Sequence, residues 1–216
     1  MTKLRQLAFC LIVLCLPATL AADLAPATDC DAATRWVAER ADALPTTFDE
    51  LAALPPSHRK AVFSALPAEH QSRLWQQHLD RWSAAQGDLT PAQLNLIAEA
   101  RRLTSAEHFE LAPGADSLGS ALHLFDMQAL RHFTPEQTRA AFYDLAGFAA
   151  TGIQIEDEDK LECDCAQGRP GTVQACPDNS SCKTGGCSNP GGRGCGLFHF
   201  VPCDGVCLGA VVIDLH

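Results

Sequence analysis

The sequence lacks the features of several large functional classes. Basic residues are few, with 16 Lys and Arg against 26 Asp and Glu in 216 residues, and the formal net charge is −10. Nucleic-acid-binding proteins need a basic face for the phosphates, so this class is not expected. The apolar run Leu7 to Leu16 has ten residues, whereas a membrane-spanning helix needs about 20. The length suits one globular domain or two small ones.

Motifs that mark enzymes are also missing. There is no Gly-x-Ser-x-Gly elbow, no phosphate-binding glycine loop, no dinucleotide fingerprint and no Cys-x-x-Cys pair. No histidine pair has the i, i+4 spacing of a metal-binding helix, and the scattered histidines and tryptophans are expected in the core or at the surface. We therefore predict a non-enzymatic protein with no cofactor and no catalytic residue.

Cysteine is absent from the middle of the chain, although the chain contains 11. Two of them lie in residues 1–22, which have the pattern of a secretory signal peptide: Lys3 and Arg5 precede the apolar run, and small residues follow Pro17. An uncleaved membrane anchor is the alternative. A signal peptide predicts a secreted or periplasmic protein, without a stable membrane span after its removal and with disulfide bonds as the expected state of its cysteines.

Residues 30–146 carry repeated signals of helix termini. Capping boxes are predicted at Thr47, Thr90 and Thr134, because Glu50, Gln93 and Gln137 follow at the third position. Proline follows Thr90 and Thr134, at the position where its missing N–H is harmless. Pro55-Pro56 and Pro67 mark further boundaries. These signals predict an N-terminal helical domain of five to seven short helices.

The apolar spacing between these boundaries fits a helical period. Four groups of residues are expected to form buried faces: Leu74, Trp75, Leu79 and Trp82; Leu94, Ile97, Ala98 and Leu103; Leu122, Phe125, Leu130 and Phe133; and Phe142, Leu145 and Phe148.

Leu89-Thr90-x-x-Gln93 and Phe133-Thr134-x-x-Gln137 also resemble the Leu-Thr-x-x-Gln motif of small helical periplasmic chaperones, which leaves a chaperone as an alternative.

Residues 147–162 differ from the helical region in composition. Gly147 and Gly152 loosen the chain, and residues 156–159 are four consecutive acids. Such a run favours water, which predicts an acidic, flexible linker. The alternative interpretation is an exposed site of proteolytic processing.

Residues 163–216 form a cysteine-rich module that we expect to be small and loop-dominated. Too few apolar residues are available for a separate core, so disulfide bonds must supply the stability. Eight cysteines permit 105 pairings, and the sequence does not choose among them. If all eight pair with one another, Cys30 is left as an unpaired thiol or an intermolecular link; alternatively, Cys30 forms an interdomain bond to the module and frees another cysteine. The disulfide candidates are Cys163, Cys165, Cys176, Cys182, Cys187, Cys195, Cys203 and Cys207.

Zinc is the competing use of clustered cysteines. Cys182-x₄-Cys187 and Cys203-x₃-Cys207 have suitable spacing, and His199 lies between them. Export favours disulfides instead, so no metal site is predicted.

The order of the cysteines resembles that of the bacteriocin fulvocin C-related family. The matching features are Cys163-Asp-Cys165, Cys176-Pro177 followed by Cys182, Gly194-Cys195-Gly196, and Cys203-Asp-Gly205-x-Cys207. The stretch Pro55 to Leu79 also resembles the helical part of that family, through Arg59, Ala61, Val62, Phe63, Ser72, Leu74, Trp75 and His78.

The resemblance implies a secreted, bacteriocin-like, antimicrobial protein, in the form of a precursor that releases its cysteine-rich module to act on an unknown bacterial target. Residues 161–216 contain three basic and five acidic residues, whereas peptides that attack anionic membranes are usually cationic. The alternative is a periplasmic or extracellular binding protein that uses the disulfide-bonded module as a scaffold for a protein partner.

Overall fold

A computed structural model describes residues 29–113, 115–149, 180–184, 192–203 and 205–209 of the chain. The predicted signal peptide and most of the predicted linker lie outside these residues. The described part is mainly α-helical, as predicted, with a helical N-terminal region and a loop-dominated C-terminal region. Its helices are α1 (Asp29–Ala38), α2 (Phe48–Ala52), α3 (Pro56–Ala65), α4 (Ala68–Ala85), α5 (Pro91–Leu103), α6 (Ala106–Glu110), α7 (Asp116–His132) and α8 (Pro135–Phe142).

Five of the eight helices begin at the predicted signals; the prediction of five to seven helices is therefore too low for the described residues. Thr47, Thr90 and Thr134 each form a complete capping box at the start of α2, α5 and α8. The side-chain oxygen accepts a hydrogen bond from the third backbone N–H of the helix, which would otherwise have no partner. Pro56 begins α3, and Pro67 directly precedes α4.

Helix α4 lies at the centre of the helical region and packs against α2, α5, α6 and α8. Its predicted apolar face is buried: Leu74, Trp75 and Leu79 are at most 1% exposed, and Trp82 is 2% exposed. The polar side chains of α4 join it to neighbouring helices. Gln71 donates to the carbonyl oxygen of Phe63 at 2.8 Å. Oγ of Ser72 likewise donates to the carbonyl oxygen of Thr104, directly after α5, at 2.7 Å.

The predicted face of α5 is wrong at two positions. Ile97 and Leu103 are buried, but Leu94 is 52% exposed and Ala98 is also exposed. The buried stripe runs instead through Leu96 and Ala100. Helix α5 is rotated relative to the predicted face because its partners α4 and α7 lie on the side of that stripe.

The last predicted helical face is formed by more than one element. Helix α8 ends at Phe142, and Leu145 lies in the following turn, where Ala146 has a φ of +63°. Phe148 belongs to a separate 3₁₀ turn, Gly147–Ala149. Phe142 and Leu145 are buried. The chain therefore turns at the end of α8 instead of continuing the helix.

The described C-terminal residues form a small antiparallel sheet and a loop. Strand β1 (Ser180–Thr184) pairs with strand β2 (Gly205–Gly209). Residues 192–203 lie between the two strands in the sequence and pack into the helical region. We call residues 192–203 the docked segment.

Candidate functional site: the docked segment

The docked segment is a short covalently closed loop. A disulfide bond joins Cys195 to Cys203, with 5.0 Å between the Cα atoms. Inside it, Cys195 and Val201 exchange two backbone hydrogen bonds, at 3.0 and 3.2 Å. The disulfide and the paired backbone fix the base of the loop, and a 3₁₀ turn, Leu197–His199, forms its tip.

The tip of the loop belongs to the main hydrophobic core. Leu197, Phe198 and Phe200 are at most 2% exposed, and they belong to the same buried cluster as the helix side chains. Complete burial of one such side chain stabilises a fold by about 1.5–3 kcal/mol. The sequence prediction that the module depends on disulfides alone is therefore incomplete, because part of the module packs against the helices.

Aromatic rings of the helical region surround the tip. The ring centroid of Phe198 lies 5.4 Å from that of Trp75 and 5.3 Å from that of Phe125. Phe200 stacks on Phe109, with 4.6 Å between the centroids and 22° between the planes. We call the rings that receive the tip the aromatic site: Phe63, Trp75, Phe109, Phe125 and Phe142.

Arg193 fastens the base of the docked segment to α6. Its Nη2 atom donates to the carbonyl oxygens of Phe109, at 3.0 Å, and of Leu111. Its backbone N–H donates to Oγ of Ser64 at 2.9 Å. The guanidinium also lies over the rings of Phe109 and Phe200, at 5.5 and 5.4 Å. A cation at the C-terminal end of a helix is favourable because the carbonyl groups there carry partial negative charge.

Burial lowers the pKa of Arg193 to about 10. The side chain therefore keeps its charge at neutral pH, although Arg193 is only 5% exposed. Burial of a charged guanidinium is tolerated only where carbonyl groups are placed to accept its hydrogen bonds. Arg193 is accordingly well placed to recognise the folded end of α6.

Two buried histidines, His78 and His199, pack against Trp75 with 5.0 and 5.4 Å between ring centroids, and both are neutral at pH 7. Nε2 of His199 donates to the carbonyl oxygen of Tyr143 at 2.9 Å, and burial lowers its pKa to about 3. Nε2 of His78 donates to the carbonyl oxygens at the end of α8, while its Nδ1 accepts from the backbone N–H of Ala146 at 3.1 Å. Burial lowers the pKa of His78 to about 4. Each histidine forms hydrogen bonds to backbone groups next to the tip. We therefore assign both a structural role.

A further buried polar pair lies in the turn after α8. The hydroxyl of Tyr143 donates to Oδ1 of Asp126 at 2.7 Å. Burial raises the pKa of Asp126 above its usual range and raises the pKa of Tyr143 as well. This pair ties α7 to the turn whose Tyr143 carbonyl holds His199.

The backbone at the tip of the loop is strained. Phe198 and His199 have φ values of +53° and +59°, in the left-handed region that residues other than glycine seldom adopt. Such conformations cost about 1–3 kcal/mol each and persist where surrounding contacts impose them. Here the aromatic site and the Tyr143 carbonyl supply those contacts.

The described residues include four of the eight predicted disulfide candidates. Cys195 and Cys203 form a disulfide, and Cys182 lies directly opposite Cys207 in the β1–β2 register. Cys30 lies in α1, but its side chain is outside the described set. The remaining candidates, Cys163, Cys165, Cys176 and Cys187, fall outside the described residues.

The alternative zinc interpretation loses two of its ligands. Cys203 is engaged in the disulfide, and Nε2 of His199 donates to a carbonyl group inside the core. Within the described ranges, no cluster of three metal-ligating side chains is present. Over the same ranges, no helix has the length and apolar character needed to cross a membrane.

Sequence reasoning missed the most important contacts of the docked segment. Arg193, Phe198 and Phe200 were not predicted as site residues. One signal was present: Phe198 and Phe200 are the only aromatic residues after Cys163, and they lie in an apolar stretch of a glycine-rich region.

Searches of protein-family models, characterised proteins and solved structures found no match to this chain.

Proposed function

We propose that the chain is a secreted, non-enzymatic, bacteriocin-like precursor of the fulvocin C-related kind, in which the helical domain masks part of the cysteine-rich module. The observation that carries this proposal is the burial of Leu197, Phe198 and Phe200 in the helical core. The order of the cysteines supplies the resemblance to the bacteriocin family.

Masking follows from the chemistry of the docked segment. If the module left the helical domain, three large apolar side chains and the guanidinium of Arg193 would meet water. Exposed apolar groups of this kind mark surfaces that bind a protein or a membrane. In the precursor the same groups are covered, so the intact chain would be inactive until the module is released.

Release requires a cut between the helical domain and the docked segment. The acidic run at residues 156–159 is the predicted processing region, since four consecutive acids favour an extended, accessible chain. Intact precursor and released module should therefore differ in activity.

The test uses a variant with the recognition sequence of a specific protease in place of residues 156–159. The cleaved protein is separated in denaturant without reductant, and the module is then returned to buffer. We expect the module to inhibit the growth of some strains in a bacterial panel, while the uncut protein does not. A module that inhibits none of them, with its disulfides verified by mass spectrometry, would contradict the proposal.

The second candidate is a binding protein that displays the module on a rigid support. The observation that favours it is the position of the docked segment directly before β2, which anchors the β1–β2 sheet to the helical region. In this case the intact protein would cross-link to one partner in the cell envelope or culture medium, and neither the intact protein nor the module would inhibit growth.

A further inference from the structure

We infer that the aromatic site is a receptor for the docked segment even when the two are not covalently connected. The helical domain would then retain the module after cleavage and rebind a released one. This inference rests on the proposed function only in assuming that the linker is cut. It identifies the ligand of the helical domain as a disulfide-closed loop bearing an arginine at its base and two phenylalanines at its tip.

The contacts that hold the docked segment do not depend on the linker. The backbone of Arg193 bonds Ser64, which lies 129 positions earlier, and its guanidinium bonds Phe109, which lies 84 positions earlier. His199 bonds Tyr143 across 56 positions. Each contact joins one side of the predicted cut to the other, so each would persist after the cut.

The contacts have the composition of a specific protein interface. Two aromatic anchors, Phe198 and Phe200, occupy the aromatic site, and the buried side chain of Arg193 forms directional hydrogen bonds beside them. Aromatic residues and arginine are the residue types that dominate binding energy at such interfaces. Leu197 and Val201 are also buried and exclude water around the anchors.

The base of the loop is restricted before the loop meets the helical domain. The Cys195–Cys203 disulfide and the paired backbone of Cys195 and Val201 restrict the free loop. Restriction of a ligand near its bound conformation reduces the entropy lost on association. A reduced, linear segment should therefore bind more weakly than the closed loop.

The helical domain also offers a recognition feature besides apolar surface. The carbonyl oxygens of Phe109 and Leu111 at the end of α6 accept hydrogen bonds from Arg193. An apolar ligand without a correctly placed guanidinium would leave these acceptors with one partner fewer. Loss of a charged hydrogen-bonding group should lower the affinity about 10- to 100-fold.

The experiment uses the full chain with the specific protease site at residues 156–159, cut under native conditions with its disulfides intact. Native mass spectrometry and gel filtration should show one complex of the two fragments, and denaturant without reductant should separate them, because the complex is noncovalent. Separation of the fragments under native conditions would overturn the inference.

A competition experiment tests whether the aromatic site is responsible. An excess of a synthetic disulfide-closed peptide of residues 192–203 should displace the module from the cut complex at equilibrium. Peptides with Arg193→Ala or Phe198→Ala should need about 10- to 100-fold higher concentrations to displace the same fraction of the module. These changes are made in the peptide, so the helical domain stays intact. A matched Pro202→Ala peptide serves as the control, because Pro202 is only half-buried.

Two results of the competition would overturn the inference: no displacement by the unchanged peptide, or equal displacement by the Phe198→Ala peptide. Growth inhibition is measured separately on the isolated module. If the isolated module inhibits growth but the cut fragments separate, the receptor role of the helical domain is contradicted and the proposed function is not. If the cut fragments stay together but the isolated module does not inhibit growth, the proposed function is contradicted and the receptor role is not.

Discussion

Arg193 forms hydrogen bonds to three separate segments of the chain. It links the docked segment to Ser64 on α3 and to the end of α6. Replacement by alanine leaves the carbonyl oxygens of Phe109, Leu111 and Phe200 with one donor fewer inside the protein. We expect Arg193→Ala to lower the free energy of unfolding of the intact chain by about 1.5–3 kcal/mol.

Urea denaturation measures this change. Arg102→Ala is the matched control, because Arg102 forms an exposed ion pair with Glu99 in which the two side chains are 59% and 42% exposed. Exposed pairs of this kind contribute about 0.5 kcal/mol or less. Equal losses in the two variants would show that Arg193 makes no special contribution.

Phe198 occupies the centre of the aromatic site, with no exposed surface. Phe198→Ala removes the ring from contact with Trp75, Phe125 and Phe142. We expect a loss of about 3–5 kcal/mol in the free energy of unfolding, typical of a buried phenylalanine replaced by alanine. Leu124→Ala, at a position 59% exposed, should change it by less than about 0.5 kcal/mol. A loss below 1 kcal/mol in Phe198→Ala would indicate that the docked segment is not part of the cooperative core.

His78 and His199 should make the fold sensitive to acid. Their folded-state pKa values are about 4 and about 3, below the ordinary 6.5. The unfolded chain therefore gains protons first as the pH falls below about 6.5, and stability declines until the folded pKa values are reached. For His78 alone the loss amounts to about 3 kcal/mol. The raised pKa of Asp126 acts in the opposite direction, because it favours proton binding by the folded state.

Urea denaturation at pH 7, 6, 5 and 4 measures this dependence. We expect the free energy of unfolding to fall continuously over the series. His199→Gln should flatten the slope, because it removes one of the two buried imidazoles, whereas Ser120→Ala, at an exposed position without a titratable group, should leave it unchanged. If the free energy of unfolding of His199→Gln fell with pH as steeply as that of the natural chain, His199 would not be a source of the acid sensitivity.

At the scale of elements, the capping boxes set where helices begin. Thr90 accepts a hydrogen bond from the backbone of Gln93, and the Gln93 side chain bonds back to the Thr90 N–H at 2.9 Å. Nε2 of Gln93 also donates to the carbonyl oxygen of His132 at the end of α7. The motif that resembles a chaperone sequence therefore serves as a helix cap here.

Thr90→Ala should lower the thermal midpoint, because the cap contributes about 1 kcal/mol. Ser120→Ala on the exposed side of α7 is the control and should have no measurable effect. Differential scanning calorimetry compares the two variants. An unchanged midpoint in Thr90→Ala would mean that packing alone fixes the start of α5.

Helix starts were predictable because their signals are local. A cap and its third residue lie within one turn, so Thr47, Thr90 and Thr134 specify their boxes from the sequence alone. The buried face of α5 was not predictable at Leu94 and Ala98, since several apolar stripes compete there. Only the positions of α4 and α7 decide which stripe is covered.

At the scale of the whole molecule, the β1–β2 register bears on the cysteine pairing. Cys182 and Cys207 are direct partners in an antiparallel pair. Direct partners have Cα atoms about 4.5–5.5 Å apart, within the range that a disulfide requires. We therefore predict a Cys182–Cys207 disulfide beside the Cys195–Cys203 bond. Peptide mapping without reductant tests this, and a peptide joining Cys182 to any other cysteine would contradict it.

The helical region and the cysteine-rich region are joined more closely than composition indicates. Composition changes abruptly after residue 147, which predicted separate parts connected by a linker. The tertiary structure places Leu197, Phe198 and Phe200 in the same hydrophobic core as residues of α4 and α8. Composition could not predict this contact, because it depends on which rings meet across more than 50 positions.

The sequence by itself determined the helical class, the caps and the concentration of cysteine near the C-terminus. These features depend on neighbouring residues or on simple counts. Only the tertiary structure decided that Phe198 and Phe200 belong to the helical core, that Arg193 caps α6 and that Cys195 pairs with Cys203. Those outcomes depend on long-range packing, in which burial of aromatic surface outweighs the strain of a left-handed backbone at Phe198 and His199.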